Sequence, residues 1–191
     1  MNNASRLNLR LTVYSALFTA LIIIGGYISI PIPVGPVPIA MADFFVMLAG
    51  LFLGWKHGLA CVALFLTLGV LGMPVFAGGG AGLAVLVGPT GGYLFGYLLL
   101  VASVGFISGM MKPSLAAYLI ALIIGNVLLY IAGVFWLRVV LGLSWQAALA
   151  VGFMPFVIGI VIKIAVAVVV AHVFLPRFKQ KLTAASISSI K

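Results

Sequence analysis

Between Arg10 and Arg177 the chain carries only five formally charged side chains: Asp43, Lys56, Lys112, Arg138 and Lys163. The stretches between them are runs of Leu, Ile, Val, Ala, Gly and Phe with no polar face to turn towards water. Across all 191 residues 65% are hydrophobic, 6% are charged and the mean hydropathy is +1.41, where soluble domains carry about 25% charged residues. Such a chain must put its side chains into lipid. At about 20 residues per helical crossing, it holds about six spans with short connections, and no segment is polar or long enough for a separate soluble unit. The fold class expected is an all-α integral membrane protein, one domain over 1–191. Its spans are expected at about 11–30, 40–54, 58–72, 90–111, 114–137 and 152–175.

Two connections break this pattern. The first, Pro31-Ile-Pro-Val-Gly-Pro-Val-Pro38, sets prolines around Gly35 and predicts extended or turn backbone rather than helix. The second, Met73 to Pro89, is too glycine-rich for a helix and too apolar for a solvent loop. Irregular backbone survives at membrane depth only when buried in protein or lining a cavity. This segment is expected to form a re-entrant lid or wall.

The basic residues set an orientation. With the amino terminus inside, Arg6, Arg10, Lys56, Lys112, Arg177, Lys179, Lys181 and Lys191 fall on the cytoplasmic side, and Arg138 alone falls outside. This is the asymmetry of the positive-inside rule and requires an even number of spans. Both termini are therefore expected in the cytoplasm of a bacterial-type plasma membrane, and both irregular connections on the outer face, where a pocket between them would open outward. The ten basic residues form no groove or stripe, which argues against nucleic acid. Cys61 is alone and His57 and His172 are isolated, so no disulfide, metal site or acid–base pair is expected. No G-x-x-x-x-G-K-[ST] phosphate loop occurs. An enzyme is not expected, nor is a cofactor.

An ionisable residue within a membrane span is a functional candidate by default. Lys163 lies more than ten residues from either end of its expected span, too deep to snorkel easily, in a segment where Pro155 bends or starts the helix and Gly159 lets a ligand approach. It can meet an anionic or polar ligand, or pair with Asp43. Asp43 opens the second span, where a carboxylate can cap the helix or serve a ligand or ion pair. Asn126 and Tyr130 stand four apart on one helix face and can read a hydrogen-bonding ligand or join helices. Thr90 and Tyr93 begin the fourth span at the mouth of the expected pocket, while Gly88, Gly92 and Gly96 suit close helix packing. Ala16 and Ala20 form a small-residue stripe that offers a flat face to another subunit.

Taken together, Pro31 to Ile39, Leu48-Ala-Gly-Leu-Phe-Leu-Gly54, the Gly72-Met-Pro-Val-Phe-Ala-Gly-Gly segment, Gly88-Pro-Thr-Gly-Gly-Tyr93, Gly125-Asn126 with Tyr130, and Pro155-Phe156 with Gly159 and Lys163 resemble the signature segments of BioY. That family comprises the biotin-specific S components of energy-coupling factor (ECF) transporters, and the likeness is collinear over about four fifths of the chain. The resemblance implies a six-helix, high-affinity substrate-binding subunit that captures biotin at the outer face. It implies as partners a transmembrane coupling subunit and two cytoplasmic ATPases, with Ala16 and Ala20 docking on the coupling subunit. Lys163, Asn126, Tyr130, Thr90, Tyr93 and Phe76 would then form the substrate site. The chain departs from the family where an Asp is usual three residues before the lysine; here that residue is Ile160. It departs again at Ile39-Ala-Met-Ala-Asp43, where Thr and Gln are usual. Either Asp43 replaces the missing carboxylate across the bundle, or preference has shifted towards another carboxylated ring compound such as lipoate or dethiobiotin. A stand-alone facilitator of small-solute uptake is the alternative from another class.

Overall fold

The computed structural model describes residues 3–33 and 35–187; Lys191 of the basic tail and Val34 of the proline-rich connection lie outside them. The elements in order are α1 (Asn3–Tyr27), a two-stranded hairpin of β1 (Ser29–Ile30) and β2 (Ile39–Ala40), α2 (Ala42–Val70), a 3-10 turn at Ala77–Gly79, α3 (Leu83–Val87), α4 (Gly91–Met110), α5 (Leu115–Leu141), α6 (Trp145–Gly152), a 3-10 turn at Met154–Phe156, and α7 (Val157–Ile187). Five described stretches are long and apolar enough to cross a membrane: Leu9–Tyr27, Ala42–Val70, Gly91–Met110, Leu115–Leu141 and Trp145–Gln180.

The second of these is two helices. Gly54 has φ 72 and ψ −179, a left-sided backbone that glycine adopts without steric cost. A Cβ on Gly58 would lie 3.6 Å from the Ala49 carbonyl oxygen and from the Gly50 Cα. Eight residues of straight helix would hold those positions about 12 Å apart, so the chain reverses at Gly54 and its two arms run antiparallel. Gly105 of α4 packs directly on the turn, with no room for a Cβ against Trp55. The spans expected at 40–54 and 58–72 are these two arms, and six crossings result. The start of α1 and the end of α7 then lie at the same end of the bundle.

The sixth span differs from expectation at its start. α7 begins at Val157, and the largely apolar eight residues Trp145–Gly152 form a separate helix, α6, opened by the Ser144 hydroxyl accepting from the Ala147 amide at 3.2 Å. Phe153 to Phe156, with Pro155 inside the 3-10 turn, makes the corner.

Glycines set the helix spacing at the centre. Gly92 and Gly96 bring α4 onto α5, where an added Cβ would strike Trp136 and Leu129 respectively. The outward faces of the helices carry Leu17, Ile24, Phe106, Ile131, Phe135, Ile158 and Val161 exposed. In water that surface would drive aggregation; in lipid it is the solvated face. The proline-rich connection folds as the β1–β2 hairpin, with Ser29 opposite Ala40 and Ile30 opposite Ile39. The glycine-rich connection becomes an irregular lid. Its Gly78 and Gly79 have φ 66 and 82, values that let the chain fold tightly enough for Phe76 to exchange a backbone contact with Gly80. The Tyr27 hydroxyl donates to the Pro74 carbonyl, and the Trp136 indole donates to the Gly88 carbonyl at 3.0 Å. These bonds tie the lid to α1 and α5.

Candidate functional site

The hairpin and the lid close one end of the bundle over two cavities. The outer one, about 670 Å³, is walled largely by backbone-rich segments: Tyr27 at the end of α1, Ser29 of β1, Pro31, Gly35, Pro36 and Pro38 between the strands, and Phe76 to Gly78 with Val85 of the lid. Thr90 and Leu94 form its floor. Phe76 is held by Gly69, which leaves no space between its Cα and the ring, and by an edge contact with Phe65 at 5.4 Å.

The inner chamber is about 40 Å³ and contains the chain's single carboxylate side chain and its one deep lysine. Lys163 Nζ lies 2.7 Å from Asp43 Oδ1 and 2.5 Å from the Ala40 carbonyl oxygen, to both of which it donates. Both charged residues are buried, at 8% and 6% exposure. Asp43 Oδ1 also accepts the Phe44 amide at 2.9 Å. Asp43 sits inside the first turn of α2, whose N-cap is Met41 with no side-chain cap bond, so of the roles the sequence leaves open the carboxylate makes the ion pair and takes one first-turn amide on the same oxygen. Burying two charges is costly unless they are paired and their remaining hydrogen-bonding capacity is met, and here the ammonium joins α7, β2 and the start of α2 at one point. Ile160, one turn earlier on α7, offers no charge to Lys163. Its carboxylate partner comes from across the bundle.

Tyr93, Tyr97 and Tyr130 surround the pair, with Val37, Pro38, Leu129 and Phe156 completing the wall. Tyr93 is fixed as a strut. Its hydroxyl donates to the Gly152 carbonyl at 2.7 Å, its ring leaves no room for a Cβ on Gly133, and it meets Tyr130 edge-on at 6.0 Å. Tyr130 in turn packs on Phe153 and Phe156 at 5.3 and 5.9 Å. The Tyr97 and Tyr130 hydroxyls have no hydrogen-bond partner among the described residues. The chamber therefore presents an ammonium, a carboxylate and two phenols inside an aromatic and aliphatic shell. Such convergent polar groups in an apolar setting are the usual make-up of a small-molecule site.

Of the residues selected from sequence, Lys163, Asp43, Tyr93 and Tyr130 meet in the inner chamber, and Phe76 and Thr90 line the outer cavity. Asn126 lies one turn below Tyr130. Its amide nitrogen donates to the Leu122 carbonyl at 2.8 Å and reaches Met47 Sδ at 3.6 Å, while its buried Oδ1 has no partner. Gly159 sits on α7 with nothing within 4 Å of its Cβ position, and it lines neither cavity. Ala16 and Ala20 lie on the exposed face of α1 beside Val13, Leu17 and Ile24. Sequence reasoning missed Tyr97, four residues after Tyr93 on α4, although that spacing was legible. It also missed the Ala40 carbonyl, for which no side-chain signal exists.

The described residues hold no cluster of three or more metal-ligating side chains. The chain is similar to known proteins along most of its length. The family model described as "BioY family" matches residues 1–180. The "Biotin transporter BioY" of Thermotoga maritima is 43% identical over 163 residues, covering 85% of this chain and 94% of that protein. The "Probable biotin transporter BioY" of Pyrococcus horikoshii is 40% identical over 157 residues, covering 82% and 91%. A crystal structure at 2.1 Å of the S-component for biotin from an ECF-type ABC transporter superposes with a TM-score of 0.82 at 32% identity, covering 90% of this chain and 93% of that one. With its six crossings, its lidded cavity and its match along nearly the whole length, the chain belongs to the BioY family.

Proposed function

We propose that this chain is the biotin-binding membrane subunit, the S component, of an ATP-driven ECF vitamin importer. The observation that carries this reading is the buried Lys163–Asp43 pair beneath a lidded cavity, 2.7 Å between charged atoms, with the Tyr97 and Tyr130 hydroxyls beside it. A neutral ion pair presents one strong donor and one strong acceptor side by side. A cyclic urea matches it, because its carbonyl accepts from the ammonium while a ring N–H donates to the carboxylate. Asp43 would repel a ligand carboxylate placed in the same chamber, so the acid end of biotin lies in the outer cavity, where the hairpin backbone and Ser29 offer polar atoms. The apolar shell of Phe156, Leu129 and Pro38 suits the thioether ring. At about 40 Å³ the chamber must widen to accept the head group. Val37 and Pro38, on the hairpin, are the walls that yield.

Asp43 takes the place of the acid that Ile160 leaves missing on α7, which keeps the pair and moves its carboxylate to α2. Asn126 Oδ1 is a further acceptor beneath the site. Ala16 and Ala20 offer the docking face for the coupling subunit. ATP hydrolysis then belongs to two cytoplasmic partners, and this subunit is not an enzyme. The orientation has both termini in the cytoplasm of the cell membrane, following the basic residues.

Isothermal titration of the detergent-purified chain with biotin, dethiobiotin and lipoate tests the head-group reading. Biotin and dethiobiotin, which share the urea, are expected to bind, and lipoate, which lacks it, at least about tenfold more weakly, the cost of leaving one buried polar group unsatisfied. Equal binding of lipoate would overturn it. Labelled biotin taken up by liposomes holding this chain alone would favour a facilitator over a capture subunit.

A further inference from the structure

A third cavity faces outward, away from the proposed biotin site. It is a groove of about 360 Å³ between α5 and α6, and its lining is almost wholly apolar. Val127, Ile131 and Val134 line it from α5, and Trp145 and Leu149 from α6, with Tyr130 and Phe153 at its base. The α5 residues follow a helical stripe whose next position, one turn beyond Val134, is Arg138. The Arg138 guanidinium stacks on the Trp145 ring, 4.6 Å from its centroid, at the end of the groove.

Arg138 lacks an anion. The chain has one acidic side chain, and Asp43 is committed to Lys163 in the inner chamber. Arg138 Nε is buried with no hydrogen-bond partner among the described residues. The end of α5 and the face of Trp145 supply partial negative charge only. The counter-charge must come from another molecule, and the apolar groove that runs from the guanidinium states its chemistry: an anionic head with a hydrocarbon tail.

We propose that the α5–α6 groove binds one anionic glycerophospholipid, with an acyl chain along Val127, Ile131 and Leu149 and its phosphate at Arg138. This depends on the chain crossing a membrane and not on the identity of its substrate. Tyr130 lines both the groove and the inner chamber, so the lipid lies against the back of the substrate site.

Native mass spectrometry of the full chain, incubated in detergent with phosphatidylglycerol or phosphatidylcholine of the same acyl chains, tests this. The phosphatidylglycerol adduct is expected to be about fivefold more abundant, the scale of one Arg–lipid contact near a membrane surface. Arg138→Gln removes that difference, and Ile131→Trp, which fills the groove, reduces both adducts. Unchanged circular dichroism and elution volume establish that each variant is folded. Equal retention of the two lipids by the unmodified chain would overturn the proposal, as would a preference that survives Arg138→Gln. A dimer mass that Arg138→Gln converts to monomer would also overturn it, assigning the groove to a second copy of the chain.

Discussion

The two cavities at the lidded end are built from opposite materials. The inner chamber is made mostly of side chains on long helices, with Val37, Pro38 and Ala40 of the hairpin on one side, and is crossed by a buried ion pair and braced by Tyr93 on Gly133 and Gly152. The outer cavity is made of proline and glycine backbone in segments with little regular structure, held by a few bonds to α1 and α5. Groups fixed on packed helices hold their geometry better than groups on loops, and loops open at lower free energy than helical cores. Under the proposed function this difference divides the work: the inner chamber would select, and the outer cavity would admit and cover.

Breaking the inner chamber is expected to have the largest effect. Lys163→Ala strands Asp43 in the interior, where removal of one partner of a buried pair costs about 3–5 kcal/mol. Biotin affinity is expected to fall at least about tenfold. Thermal unfolding and calorimetric titration read the two losses separately, and unchanged affinity would remove the lysine from the site. Replacing both charges, Lys163→Met with Asp43→Leu, sharpens the same point. Stability is expected to return to that of the unmodified chain or above it while binding stays lost, which separates the pair's role in recognition from its role in folding. Recovered binding in that double variant would contradict the division. Moving the acid back, with Asp43→Ala and Ile160→Asp together, is expected to restore the binding that Asp43→Ala alone loses.

Changes to the outer cavity are expected to be milder. In Gly69→Ala the new methyl would stand 2.0 Å from the Phe76 ring, and the forced shift of that wall costs about 1–3 kcal/mol, seen as a lower melting temperature. Thr90→Val removes one hydroxyl from the floor, and about a twofold loss of affinity is expected, the lower end of a single hydrogen bond. A Thr90→Val loss as large as that of Lys163→Ala would erase the contrast between the chambers.

Much of the fold was readable because hydropathy and backbone punctuation are local. The apolar runs, the proline cluster and the glycine cluster lie contiguous in the chain, and they gave the helices, the hairpin connection and the lid. α6 escaped because an eight-residue apolar helix running into another apolar helix leaves no break in hydropathy; its signal was the Ser144 cap. The sequence places a turn at Lys56 and His57 between the spans at 40–54 and 58–72; the structure puts the non-helical residue at Gly54, and how closely the two arms pack is visible only in the approach of Gly58 to Gly50.

The site was legible in part. Asp43 and Lys163 stood out as the only acid and the only deep cation, a fact of composition. That they meet, across 120 residues of chain, follows from α1, the arms of α2, and α7 packing into one bundle. The same packing divides Tyr130 from Asn126, which share a helix face, because the chamber ends between them. Composition and pattern alone determined that the chain spans a membrane and which residues were unusual enough to matter. Tertiary structure decided which of those residues touch and which polar groups stay unpaired, because such contacts depend on distances that no local stretch of sequence fixes.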